Sequence, residues 1–248
     1  MKNLKFILIC IVVFCSCKRE YQPQITSAKL IEVVPTEHSQ NNKMSQWLLP
    51  YKTTLDKVMG QEIGFSAQEM RSVRGESLLG RFITDVMNDY AKTHGQKFDF
   101  TVTNFGGLRG SLPQGVITIG DIFSIMPFDN ELVILSLSGK KVDQLCQEIA
   151  KNGGEITDGI KMYIINGKGN LIKVAEKEID TLKNYQVLTT DFLSFGNDNL
   201  FALADYNKIL PLKVPLRDVI IKYIKNKFRK GEKIDAKLKD EIGFCVEN

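Results

Sequence analysis

The chain has 248 residues, 43% of them hydrophobic, with 33 Lys and Arg against 29 Asp and Glu for a net charge of +4. This is enough apolar material for one substantial domain, or two small ones, with an ordinary core, and it excludes a disordered chain. So mild a charge balance also argues against a polyanion binder: the basic stretch KYIKNKFRKGEK (222–233) reads as a solvated helix face, and no nucleic-acid partner is expected.

The N-terminus, MKNLKFILICIVVFCSCKRE, places two lysines before a wholly apolar run from Phe6 to Phe14, followed by Cys15, Ser16 and Cys17. The run falls well short of the about 20 residues that span a bilayer core, so it reads as an export signal. It resembles a bacterial lipoprotein signal, with Cys17 as the lipidated new N-terminus; Cys15 competes, Phe14 departs from the usual aliphatic residue, and a plain signal peptide is the other reading. The resemblance implies an exported bacterial lipoprotein, held at a membrane by its lipid anchor and facing the periplasm. The organisation expected is a signal over 1–17, a polar tether over 18–43 with a short strand at AKLIEVV (28–34), and one domain over 44–248. Beyond Cys17 only Cys146 and Cys245 remain, too few for a disulfide framework. Cys146 reads as a small buried apolar residue, and spacing alone does not decide a bridge.

Within the domain, WLLPYKTTLDKVMG (47–60) predicts a helix and IGFSAQEMRSV (63–73) a strand with a polar tail. From Glu76 to Lys92, Leu78, Leu79, Phe82, Ile83, Val86, Met87 and Tyr90 recur at three- and four-residue steps, one face of a helix. Strands follow at 98–103 and 116–119, then a helical turn at 119–125 opened by Gly120 and Asp121. A strand at 131–138, an amphipathic helix at 139–151, strands at 162–166 and 185–190 and a closing helix at 216–228 complete the chain. The interleaving predicts an α+β fold with a mixed β-sheet and flanking helices.

The two histidines, His38 and His94, cannot build a His-rich dimetal centre. No zinc cluster, lysine-bearing phosphate loop or GxSxG elbow is present. Three stretches could instead bind. In TNFGGLRG (103–110), Gly106 and Gly107 permit positive φ and close approach of a ligand, Arg109 offers a fork to an anion, and Asn104 can donate or accept beside them. In MPFDNELVILSLSG (126–139), Phe128 follows a proline just ahead of a strand. In DFLSFGNDNLFAL (191–203), Phe192 and Phe195 flank the turn of Gly196, Asn197, Asp198 and Asn199. Two rings from different loops can sandwich a flat ligand while a carboxylate accepts from sugar hydroxyls. Taken singly, a Gly-Gly turn is also a plain turn, and each phenylalanine also a core anchor.

In this order, and joined by GESLLGRFITDVM (75–87), these stretches resemble the C-terminal domain of the 5'-nucleotidase family, from about Gly75 to Leu203. Members of that family join a two-metal phosphoesterase domain to a domain that grips the nucleoside. The resemblance implies that Asn104, Gly106, Gly107 and Arg109 contact substrate, that Phe128 and Phe192 stack the base, and that Asp198 binds the ribose hydroxyls. The family's arginine just ahead of the Glu76 helix has Arg74 as its counterpart, with Arg71 nearby and neither cleanly in register. Phe105 stands where the family has glycine, and FGNDN replaces NGGDG, departures expected to narrow the pocket or alter the hydroxyl contacts. The stretch ahead of Glu76 is too short for a metallophosphoesterase domain, so neither catalytic nor metal-binding residues are expected here. Divalent metals would belong to a partner. The reading is a nucleoside- or 5'-nucleotide-binding domain that supports phosphoester hydrolysis only with a separate metallophosphoesterase chain; a stand-alone nucleoside-binding lipoprotein and a degenerate domain kept for protein contacts are its rivals.

Overall fold

The computed structural model describes residues 43–239 and 241–245. The export signal, Cys17, the strand expected at 28–34 and His38 lie outside the described residues. Two compact units divide the chain between Leu48 and Leu49; the first contributes to the description only the opening residues of helix α1 (Lys43–Met59), and all that follows concerns the second. Among the described residues no helix is long and apolar enough to cross a membrane.

The stretch expected as one strand with a tail is two strands, β1 (Glu62–Ser66) and β2 (Met70–Arg71), and each pairs in its own ribbon, with β5 (Gly115–Thr118) and β4 (Ser111–Leu112). Helix α2 (Leu78–Thr93) is opened by Ser77, whose hydroxyl accepts from the Gly80 N–H at 3.1 Å, and it buries Leu79, Phe82, Ile83, Val86 and Met87 as the periodicity requires. Helix α3 (Ile119–Ile125) is capped by Thr118 and Asp121, which exchange hydrogen bonds as a capping box.

The centre is a five-stranded mixed sheet in the order β12-β6-β11-β3-β7. These strands are β12 (Lys208–Pro215), β6 (Glu131–Ser138), β11 (Asn184–Thr190), β3 (Phe100–Thr103) and β7 (Ile156–Asp158). β3 and β11 run parallel; the other neighbours are antiparallel. Both faces are covered. Leu132, Ile134 and Leu188 enter a core with α2, α3 and the closing helix α6 (Leu216–Arg229). Val133, Leu135, Leu137 and Val187 enter a second core with α4 (Gly139–Lys151) and a four-stranded sheet. This is why ELVILSLS is apolar on both faces over most of its length, with little of the alternation of a half-solvated strand. Cys146 is buried in the second core as a free thiol, pushed up to about 12 by burial, a packing residue without nucleophilic use.

The four-stranded sheet orders β10 (Lys177–Glu178), β9 (Lys168–Val174), β8 (Ile160–Ile165) and β13 (Ile242–Cys245). A cluster of charges holds β13. Glu76, just ahead of α2, accepts from the backbone N–H of Lys239 and, at 3.1 Å, of Glu241. Asp158 accepts from Arg81, from Lys239 Nζ at 2.9 Å and from Asn88 Nδ2 at 2.5 Å. Burial, and then the neighbouring Asp158, push the Glu241 carboxyl from its ordinary 4.5 up to about 7, against the opposing Gly159 N–H, Arg81 and Lys239.

A carboxyl whose folded pKa is raised contributes stability that is fully present below its unfolded value and is lost as pH rises through the folded one. The wild-type melting temperature should therefore fall between about pH 5 and about pH 8, and Glu241→Gln should flatten that fall and melt higher than wild type at the upper pH. Calorimetric scans at both values decide it; parallel curves would show that Glu241 is not the source.

Candidate functional site

Because β3 and β11 are parallel, with Phe100 opposite Val187 and Thr101 opposite Leu188, their C-terminal ends leave the sheet at the same edge. β6 and β7 are antiparallel to these neighbours, so their N-terminal ends begin at that edge. Four connections meet there: a tight turn including Phe105–Gly107 after β3, residues 126–130 before β6, residues 152–155 before β7, and α5 (Asp191–Ser194) with the turn at 196–199 after β11.

Three of them, all but residues 152–155, enclose a cleft of about 140 Å³ lined by Asn104, Gly106, Gly107, Arg109, Phe128, Asn130, Phe192 and Asp198. Every residue of the expected set except Arg74 lines it. A wider cleft of about 510 Å³ lies on the four-stranded sheet, among residues such as Lys161, Tyr163, Leu171 and Glu241. The smaller cleft is the better candidate because it gathers two rings, amides, a cation and an acid from three connections, as flat polar ligands require.

The glycines are needed for room. Neither Gly106 nor Gly107 has positive φ, contrary to expectation, because both lie in a turn of right-handed 3-10 backbone. A Cβ on Gly107 would stand 2.8 Å from Asn104 Oδ1, and one on Gly106 3.2 Å from Asp198 Oδ2. That closeness lets Asn104, itself buried, donate from Nδ2 to Asp198 Oδ2 at 2.6 Å. The left-handed backbone lies in the other turn, at Gly196, Asp198 (φ 55) and Asn199 (φ 59). Asp and Asn tolerate that region better than other non-glycine residues, so Asn199 keeps the turn where the resemblance expects glycine. Asn197 does more than fit: its Nδ2 donates to the Phe192 carbonyl at 2.7 Å.

Phe105 does not line the cleft. Its ring lies under the Arg74 guanidinium at 5.0 Å, and Arg74 in turn pairs with Glu155 at 3.0 Å. Phe195, expected beside Phe192, stands 77% exposed. Phe128 is 38% exposed, with the Arg109 guanidinium 5.6 Å from its ring. No carboxylate pairs with Arg109 among the described residues.

Several residues that the sequence reading passes over hold the loops. Buried Arg217, from α6, donates to the carbonyls of Met126 (3.4 Å) and Phe128 (3.3 Å), pairs with Asp129, and lies 4.1 Å from the Phe123 ring. Asp191 accepts from the N–H of Glu131 at 3.0 Å and of Phe192 at 2.7 Å, joining α5 to the start of β6. Glu155 is buried, and burial raises its carboxyl above the ordinary range, opposed by the Phe105 N–H and Arg74 and reinforced by Asp198. Asn130 lines the cleft itself and offers an amide to a ligand edge. A helical arginine after a proline, or one Glu after two glycines, carries no local signal of such a role.

Among the described residues no group of three or more His, Cys, Asp or Glu side chains is disposed to hold a metal ion. Asp198 is the only carboxylate lining the cleft, and one of its oxygens already serves Asn104, so the donor set does not fit a dimetal centre. The lining can stack a flat ring, accept from hydroxyls at Asp198 and attract an anion at Arg109.

The fold is thus an α+β domain with such a cleft at one edge of its mixed sheet. A family model, the C-terminal domain of 5'-nucleotidases, matches residues 58–205, and the chain belongs to that family. The trifunctional nucleotide phosphoesterase protein YfkN of Bacillus subtilis is 28% identical over 210 residues, which cover 75% of this chain and 14% of that protein. Protein UshA of Escherichia coli is 26% identical over 172 residues, 65% of this chain and 30% of its own length. In fold, the chain is similar to a 5'-nucleotidase precursor from Thermus thermophilus, with a TM-score of 0.69 at 24% identity over 82% of this chain and 43% of that one. The chain thus spans less than half the length of these relatives.

If Gly107 is required for room, Gly107→Ala should lower stability by about 1–3 kcal/mol by driving Asn104 off its partner. Gly106→Ala, whose Cβ would come no closer than 3.2 Å, to the end of Asp198, should cost less. Urea denaturation of both variants tests the order, and equal losses would contradict it.

Proposed function

We propose that the chain is the nucleoside- and 5'-nucleotide-binding domain of a 5'-nucleotidase-type system. The observation that carries this reading is the convergence of Asn104, Gly106, Gly107, Arg109, Phe128, Phe192 and Asp198 on one cleft from stretches nearly a hundred residues apart. In this reading the base lies between Phe128 and Phe192, Asn104 and Asn130 meet its polar edge or the sugar, and Asp198 accepts from the ribose hydroxyls. Arg109 faces the phosphate side. Hydrolysis of the phosphoester needs a separate metallophosphoesterase chain, which would supply divalent metals and the water they activate. This chain would contribute position: a base and ribose held in place bring the scissile phosphate to fixed metals, converting a chance encounter into an oriented one. The same reading has the chain exported and tethered through a lipid on Cys17.

Calorimetric titration of the soluble domain with adenosine and with AMP should give saturable binding. Phe128→Ala should weaken it by about 1–3 kcal/mol, roughly 5- to 150-fold, the range for a base stacked on one aromatic ring. A mixture with the cognate metallophosphoesterase should hydrolyse AMP faster than that enzyme alone. Binding without any such acceleration would make the chain a stand-alone nucleoside-binding lipoprotein. Absence of heat with either ligand, together with no effect of Arg109→Ala on the mixture, would leave a domain kept for protein contacts.

A further inference from the structure

Glu155 sits at the start of β7, at the sheet edge that carries the cleft, yet its side chain is turned away from the ligand space and is 2% exposed. An ionisable carboxyl so placed is unfavourable unless its oxygens are fully used, and here they are. Oε2 accepts from the backbone N–H of Phe105 at 2.7 Å. Oε1 accepts from Arg74 Nη1 at 3.0 Å and from Asn152 Nδ2 at 3.3 Å. The same Asn152 Nδ2 donates to the Asp198 carbonyl at 2.8 Å. Asn104, the residue before Phe105, closes the circuit through its bond to Asp198 Oδ2 at 2.6 Å. The ring therefore runs from the turn at 104–107, through Glu155 and Asn152, to the turn at 196–199, and back.

We propose that Glu155 is a positioning residue which, with Asn152, clamps these two turns together so that Asn104 and Asp198 meet the ligand as one rigid pair, and that Arg74 serves this clamp and not the ligand. The proposal rests on the binding role given above. It follows from the direction of each bond: Glu155 holds the first turn by its backbone, so its effect does not depend on which side chain stands at 105, and Asn152 holds the second by the carbonyl of the acid itself. The charged groups that face Glu155 are Arg74, from the loop ahead of α2, and Asp198, from the turn beyond α5. Removing Glu155 would leave the Phe105 N–H without its acceptor and Arg74 with only the Gly154 carbonyl at 3.4 Å, and both turns would lose a common anchor.

The test uses the folded domain, backbone hydrogen exchange and adenosine titration. In Glu155→Ala the amides of both turns should exchange faster while the rest of the sheet is unchanged, and adenosine affinity should fall tenfold or more. Glu155→Gln keeps an acceptor for the Phe105 N–H and should recover part of both effects. Arg74→Ala should also speed exchange at 104–107 in the empty protein, which an arginine acting only on the ligand would not do. As pH falls and Glu155 takes a proton, its charge-assisted bonds weaken, so wild-type affinity should decline more steeply than that of Glu155→Gln; a decline equal in both arises elsewhere in the cleft. Unchanged exchange at both turns in Glu155→Ala, with affinity within twofold of wild type, overturns the clamp. Should that variant not fold, Asn152→Ala carries the test: faster exchange at 196–199 is expected, and its absence refutes the proposal. If wild type does not bind adenosine, the binding role falls while the exchange data still decide the clamp.

Discussion

The parallel pairing of β3 with β11 is the constraint on which the cleft depends. Parallel neighbours end at the same edge, and that edge is where ligands gather on sheets of this kind. β6 and β7, antiparallel to them, necessarily begin there. Stretches near residues 104, 128, 153 and 198 therefore meet, although no local rule relates them. The pairing is firmly specified because the sheet is buried on both faces: a one-residue slip of β11 would exchange Val187 and Leu188 between two cores that are already filled.

Above this rigid edge the loops are tied mostly by charged residues that point away from the ligand space. Arg217 and Asp129 hold the Phe128 loop, Asp191 links β6 to α5, and Arg74 and Glu155 brace the glycine turn. What faces the cleft is sparse by contrast: one guanidinium, one carboxylate, two amides and two rings. Charge used as scaffold is fixed in direction by its partners, while the two opposite charges left in the cleft cancel. Such a surface would suit a flat, hydroxyl-bearing ligand, with the chemistry supplied elsewhere in the proposed system.

How much of this was legible in the sequence follows from how local each cause is. The α2 stripe and the Gly139–Lys151 helix are local patterns with a period of 3.6, and they stand where the pattern puts them. β12 is hidden because KILPLKVP carries two prolines and exposed apolar residues, which an edge strand tolerates and a strand pattern does not advertise. The segment leading into β13 is tied through Lys239 and Glu241 to Glu76 and Asp158, far off in sequence, and the strand's own four residues carry no sign of this. In the site, the glycines, rings and acid were visible as residue types that bind, but the reason for Gly106 and Gly107 was not: crowding by Asn104 and Asp198 is a tertiary fact. Arg217 and Glu155 escaped because their roles lie in where their partners are.

The departures from the family pattern weigh on whether this cleft is worn out or retuned. At each position where the resemblance expects a glycine and a larger residue stands, the structure accommodates the change without opening the turn. Phe105 leaves the ligand space and packs beneath Arg74, the arginine that Glu155 already holds. Asn197 uses its added amide to grip the carbonyl of Phe192, one of the two ring residues. Asn199 takes a left-handed backbone that few other side chains would accept. A turn released from its purpose has no reason to replace glycines with residues that restore its geometry, and random replacements would more often leave strain or an unsatisfied donor. The compensation keeps Asp198 beside Asn104 and Phe192 in the cleft wall, and it is concentrated where a bound nucleoside would lie.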